Sequence, residues 1–198
     1  MFKNLIELTK VRIGFLVLTT TIIGFYLGAQ GKIDNMLLLF TVIGTLLSST
    51  GSSVMNNVIE SESDKLMDRT KNRVLPTKKI SLNFAKFLGI SFIIVGLLIL
   101  YFKVNFLTCM LSLLTIILYL FLYTPLKRES WLNTSVGAIP GAIPPLGGWT
   151  AATNSLEWGG IAVFLILFFW QHPHFYSIAY MYKDCLLYTS DAADDSTR

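Results

Sequence analysis

The sequence predicts an all-α fold, a polytopic transmembrane helical bundle, and three observations carry that prediction. Of its 198 residues, 53% are hydrophobic and only 14% charged, where a soluble domain has roughly a quarter charged. Six stretches approach the roughly 20 apolar residues that a bilayer core demands. The basic residues gather between those stretches, so the formal charge of +4 points to a lipid partner and not to nucleic acid. The two cysteines, Cys109 and Cys185, supply neither a disulfide framework nor a CxxC metal site.

The first stretch, Ile13 to Leu27, follows Lys10 and Arg12. It lacks a small-residue cleavage site and reads as an anchor helix, retained in the mature protein. The second, Met36 to Ile59, runs into a polar segment, and the third and fourth, Phe84 to Phe102 and Phe106 to Tyr123, are almost wholly apolar. The fifth, Ser135 to Thr153, holds Gly137, Pro140, Gly141, Pro144, Pro145, Gly147 and Gly148. Such residues are tolerated in a membrane where neighbouring helices repair the backbone. They predict a broken helix lining a cavity, with close helix packing as the alternative use of the same residues. The sixth, Gly160 to Tyr182, is apolar except for the polar group Trp170, Gln171, His172 and His174.

With a cytoplasmic N-terminus, the inner segments hold Lys3, Lys10, Arg12, Lys65, Arg69, Lys71, Arg73, Lys78, Lys79, Lys86, Lys127, Arg128 and Lys183, and the outer loops only Lys32 and Lys103. The positive-inside rule then predicts a multi-pass protein of the cell membrane, with its N-terminus and acidic segment on the cytoplasmic side.

That acidic segment reads NNVIESESDKLMDRTKNR, with Asn56, Glu60, Asp64 and Asp68 each four residues apart. Each step of four turns a helix by about 40°, so Asn56, Glu60 and Asp64 share one face. Like charges at that spacing repel by a few tenths of a kcal/mol, about 0.3 per pair, and a divalent cation would remove the penalty. Carboxylates and a carboxamide suit Mg²⁺, which commonly bridges carboxylates to substrate phosphates. Arg69 and Arg73 follow at once, and YTPLKR brings Lys127 and Arg128; guanidinium and ammonium groups are what a diphosphate requires. The alternative is a solvated, salt-bridged loop, with the basic residues there only through positive-inside bias. In the sixth stretch, His172 or His174 could ligate a haem iron or contact a substrate; a histidine hydrogen-bonded inside the bundle is the other reading.

The run at Asn56 to Asp64 resembles the NDxxDxxxD signature of the intramembrane aromatic prenyltransferases, the UbiA superfamily, with Asn57 and Glu60 where that signature has aspartates. DKLMDRTKNR, YTPLKR, GAIPGAIPPLGG and WQHPHF, in that order, resemble its protoheme IX farnesyltransferase branch, the heme O synthases. The likeness runs from the first span to Asp184. It implies about six helices here out of nine in the full family. The implied reaction moves farnesyl from farnesyl diphosphate to a vinyl group of heme B, giving heme O and diphosphate, with Mg²⁺ as cofactor and heme B as substrate. Partners implied downstream are heme A synthase and terminal oxidase assembly.

Carried over by motif, Asn56, Glu60, Asp64 and Asp68 would hold metal and diphosphate, and Asp184 would open a second metal-holding motif. Arg69, Lys127 and Arg128 would neutralise the leaving group; Arg73 would bind diphosphate; and Tyr123, Trp170 and Phe175 would face the allylic cation through their rings or simply pack. Within the enzyme class, a quinone-precursor prenyltransferase is the alternative. An ion-coupled transporter using the buried acids as cation sites is the reading from another class. From Cys185 the polar string CLLYTSDAADDSTR resembles translated adapter or transposon-end DNA. The expected layout is therefore a truncated prenyltransferase domain over 1–184 and a non-native tail over 185–198, with a native disordered tail as the alternative.

Overall fold

A computed structural model describes residues 2–68, 70–126 and 133–181. A short helix α1, Phe2–Thr9, leads into α2, Val11–Ala29, and then into the long α3, Asn35–Asp64. Helix α4, Leu82–Ile99, continues through a π-helical turn at Leu100–Val104. Helix α5, Phe106–Ile117, passes through a second π-helical turn, Leu118–Tyr123, into the three-residue α6, Thr124–Leu126. Helices α7, Asn133–Thr153, and α8, Trp158–Met181, complete the bundle. No strand occurs among the described residues.

Local chemistry sets several helix starts. Asp34 accepts hydrogen bonds from the Met36 and Leu37 amides at the head of α3, and Asn105 accepts from Thr108 N at 2.8 Å at the head of α5. Ser81 caps α4 through Phe84 N at 3.3 Å. Such caps satisfy amides that no helical carbonyl reaches.

Among the described residues, five helical stretches are long and apolar enough to cross a membrane: Val11–Ala29, Asn35–Asp64, Leu82–Val104, Phe106–Leu126 and Trp158–Ile178. The protein is thus a multi-pass membrane protein. The sixth long helix, α7, is a buried element; Ala138, Ala142, Ile143, Leu146 and Trp149 are all enclosed. It also corrects the expectation of a broken helix, because it runs unbroken over Asn133–Thr153 with Pro140, Pro144 and Pro145 inside it. Proline fixes φ near the helical value but removes a donor and crowds the carbonyl four residues back, costs that a helix enclosed by its neighbours can carry, and other helices also grip α7 at carbonyls away from the prolines. Asn105 Nδ2 donates to Thr150 O at 2.8 Å, and Gln171 Nε2 to Ala138 O at 3.2 Å.

Lipid offers no hydrophobic drive between helices, so close backbone approach does the packing. Helix α2 lies directly on α7, where a Cβ at Gly24 would stand 2.0 Å from Pro145 O, and one at Gly148 1.9 Å from Thr21 O. The α3 and α4 pair uses the same device at Gly51 and Gly96. At one end of the bundle Leu8, Val54, Val58, Leu75 and Ala85 form a compact core. That core pins α1 and the 65–81 connection against α3 and α4.

Gly148→Ala is expected to lower stability by about 1–3 kcal/mol through overpacking of α2 against α7. Gly147→Ala, whose added Cβ meets nothing within 4 Å, should be neutral. Thermal unfolding in detergent checks the pair; equal midpoints would remove the close approach as the basis of this packing.

Candidate active site

Helix α3 carries Asn56, Glu60 and Asp64 on one face, and all three are buried, at 2%, 3% and 5% exposure. The helix ends at Asp64 because the chain turns there: Thr70 Oγ1 donates to Asp64 O at 3.0 Å, and the 65–81 connection folds back. That turn removes Asp68 from the stripe. Its side chain is 92% exposed and pairs with Lys71, which donates a hydrogen bond that holds the carboxyl below its ordinary pKa. The fourth residue of the spacing therefore stands apart from the other three.

The same fold-back delivers positive charge. Arg73 Nη1 lies 2.8 Å from Asp64 Oδ2 and 3.9 Å from Glu60 Oε2. From the other side, Lys10 sits between α1 and α2 with φ +50°. That left-handed conformation is uncommon for a residue with a side chain, and here the Lys10 ammonium donates to Asn56 Oδ1. Asn56 Nδ2 in turn donates to Thr124 Oγ1 at 3.0 Å. Its neighbour Asn57 donates Nδ2 to Leu8 O at 2.8 Å, while Asn57 Oδ1 is buried with no hydrogen-bond partner among the described residues. Asn57, Lys10, Asp64 and Arg73 line a polar cavity of about 300 Å³.

A second, larger cavity of about 440 Å³ runs into the bundle, and Ile13 borders both. Its wall is made by Tyr119 and Tyr123, by Gly137, Gly141 and Pro144 of α7, and by small hydroxyl residues of α2, α3 and α5. The glycines leave the room: a Cβ at Gly137 would stand 2.6 Å from the Tyr123 ring. Tyr123 stacks on Tyr119 with centroids 5.8 Å apart.

The polar group in α8 divides between two surroundings. His172 faces α7; its Nδ1 lies 2.9 Å from Phe168 O and its Nε2 3.1 Å from Ser135 Oγ. A carbonyl only accepts, so in the neutral ring Nδ1 carries the proton and Nε2 takes the serine hydroxyl. His174 is exposed and stacks on Trp170, itself 55% exposed, with centroids 4.7 Å apart. Phe175 reaches the large cavity. Arg69, Lys127, Arg128 and Asp184 lie outside the described residues.

Lys10 and Thr124 join the candidate residues only in three dimensions, as do the contacts of Asn57 and Gln171. Gln171, 9% exposed, gives its amide nitrogen to Ala138 O and Leu167 O and lines the large cavity. Its place in the polar group of an otherwise apolar helix was a visible signal. Thr124 offered none, being one small residue between a tyrosine and a proline.

Among the described residues no three His, Cys, Asp or Glu side chains gather as a metal site. The donor set on α3 is two carboxylates and a carboxamide, hard oxygens that fit a divalent ion sharing its shell with phosphate or water.

The chain resembles proteins of known kind along most of its length. Protoheme IX farnesyltransferase of Solibacter usitatus is 43% identical over 191 residues, covering 92% of this chain and 65% of that protein. That of Koribacter versatilis is 41% identical, covering 93% and 60%, and that of Aquifex aeolicus 41%, covering 92% and 63%. The chain thus spans under two thirds of the length of these curated relatives. A digeranylgeranylglyceryl phosphate synthase structure shares the fold with TM-score 0.75 at 20% identity, covering 84% of this chain and 58% of that one. A UbiA homolog from Archaeoglobus fulgidus, bound to DMAPP and Mg²⁺, does so with TM-score 0.64 at 18% identity, covering 84% and 59%. The UbiA prenyltransferase family model matches residues 17–195, and with the helical fold described above the chain belongs to that family.

Proposed function

We propose that the protein transfers a farnesyl group from farnesyl diphosphate to a vinyl group of heme B, giving heme O and diphosphate. The observation that carries this reading is a buried stripe of oxygen donors, Asn56, Glu60 and Asp64, flanked by Lys10 and Arg73 beside a large apolar cavity. The choice of heme as acceptor is supported by relatives at 40% identity and above that are named protoheme IX farnesyltransferases.

In this reading Asn56, Glu60 and Asp64 hold Mg²⁺, with Asp184 as a further ligand, while Asp68, turned out to Lys71, takes no direct part. The ion would supply Lewis-acid stabilisation of charge on the departing diphosphate. Lys10, Arg69, Arg73, Lys127 and Arg128 bind and neutralise that same leaving group, a preorganised electrostatic contribution that needs no rearrangement as charge develops. The orphaned Asn57 Oδ1 is a buried oxygen whose lack of a partner is costly, and Asn57 also lines the smaller cavity.

The farnesyl chain would take the large cavity, where Tyr123 and Phe175 lie in the wall, within reach to stabilise a developing allylic cation through their rings, and where a mostly apolar lining would disfavour water. His172 spends both ring nitrogens on Phe168 O and Ser135 Oγ and serves in this reading to hold α8 on α7, while His174 with Trp170, exposed on the outer side of α8, is the histidine left for the acceptor. The diphosphate end lies on the cytoplasmic face, in line with the positive charge gathered there. Heme A synthase or a terminal oxidase assembly would receive the product.

Heme extraction and chromatography from cells lacking heme O synthase test the reaction. The full-length gene is expected to yield heme O, and Asp64→Ala to lower it by at least about 10²-fold; no heme O from a stably expressed full-length protein would remove heme as the acceptor. A second measurement addresses the ion pair. Arg73→Ala is expected to cost about 1–3 kcal/mol, less than a fully enclosed pair because Arg73 is a third exposed. Adding Asp64→Ala should recover part of that loss in a double-mutant cycle of unfolding in detergent; strictly additive losses would mean no coupling.

A further inference from the structure

Asn56 can serve a cation only if its amide oxygen, and not its nitrogen, faces the site. The two ends of an amide are nearly isosteric and can exchange by rotation, so something must fix the choice. Thr124 is placed to do so.

Thr124 follows the π-helical turn Leu118–Tyr123, and its own amide bonds back five residues to Tyr119 O. The same register brings Thr124 Oγ1 to 2.7 Å from Tyr119 O. A carbonyl cannot donate, so the single hydroxyl proton of Thr124 is committed to Tyr119 O. What remains on Oγ1 is a lone pair, and that accepts Asn56 Nδ2 at 3.0 Å. Thr124 is 2% exposed, so water does not compete for this contact. The polarity therefore runs one way, from Asn56 N–H to Thr124 O–H to the Tyr119 carbonyl. The far end of Asn56 agrees with it, because Lys10 has only protons to give and meets Oδ1.

We infer that Thr124 is a positioning residue which makes Asn56 an obligate oxygen donor toward the cation site, with the π-helical turn setting the hydroxyl's direction. In the present structure the cation on that oxygen is the Lys10 ammonium; in the proposed reaction the metal with its diphosphate takes the same oxygen. This inference rests on the reading of Asn56, Glu60 and Asp64 as metal-holding residues.

The test is Mn²⁺ binding, read by electron paramagnetic resonance, to the full chain in detergent with inorganic diphosphate present. Thr124→Val, which keeps the shape and removes the hydroxyl, is expected to weaken Mn²⁺ binding about tenfold, and Thr124→Ser to stay within about twofold of the unsubstituted protein, one hydrogen bond being in this range. The decisive comparison is made in an Asn56→Asp background. A carboxylate presents oxygen whichever way it turns, so Thr124→Val there should cost less than about twofold. Equal losses in both backgrounds, an unchanged affinity in Thr124→Val, or a loss in Thr124→Ser as large as in Thr124→Val would overturn the inference. Absence of diphosphate-dependent Mn²⁺ binding in the unsubstituted protein would instead overturn the reading on which it rests. A Thr124→Val protein that fails to fold is replaced by Thr124→Ala, for which the same background comparison holds.

Discussion

Placing two carboxylates and an amide on the buried face of a membrane helix is the constraint from which the rest of this structure follows. Such groups are expensive in a low-dielectric setting unless charge or hydrogen bonds meet them. The chain answers from three directions. The 65–81 connection folds back to bring Arg73 onto Asp64; the joint between α1 and α2 adopts a left-handed residue so that Lys10 reaches Asn56; and a π-helical turn carries Thr124 to the other end of that amide. Each departs from regular helix geometry, and each ends at the same stripe. Irregular backbone in membranes is tolerated where protein surrounds it, and π-bulges tend to gather at functional sites.

A second constraint concerns distance. The helices that enclose the large cavity approach one another until backbone meets backbone, at Gly24 with Pro145 and at Gly148 with Thr21. The bundle is thereby tightest between α2 and α7. On the inward side Gly137 admits the Tyr123 ring and Gly141 the Gln171 amide, and only Gly147 among these three borders open space.

Much of the fold was legible because apolar runs of membrane length carry a strong signal, and the starts and ends of α2 and α8 fall within a few residues of their expected positions. The four-residue spacing also placed Asn56, Glu60 and Asp64 on one face. Asp68 was carried in by the motif and stands outside that face, because the helix ends at Asp64 and the turn fixed by Thr70 lies beyond what periodicity encodes. The proline-rich α7 was misjudged because proline's cost was assigned as for an isolated helix, whereas the packing of α2, α5 and α8 around Ala138, Ile143, Leu146 and Trp149, set by residues distant in sequence, keeps it unbroken. Lys10 and Thr124 were illegible as partners of Asn56 for the same reason: they lie 46 and 68 residues away along the chain.

The hydroxyls that line the large cavity have a further consequence. Thr21 donates to Val17 O at 2.8 Å, Ser48 to Thr45 O at 3.2 Å and Thr115 to Leu111 O at 2.8 Å. The protons of these three are spent on their own helices, so this part of a mostly apolar wall presents oxygens and carbon, not donors, to a guest. Discrimination in such a compartment falls to volume and contour, where one methylene is worth only about 1–3 kcal/mol. What such a compartment admits would then follow from its length and girth, and altering the bulk of one lining side chain would change that more than removing one of these hydroxyls.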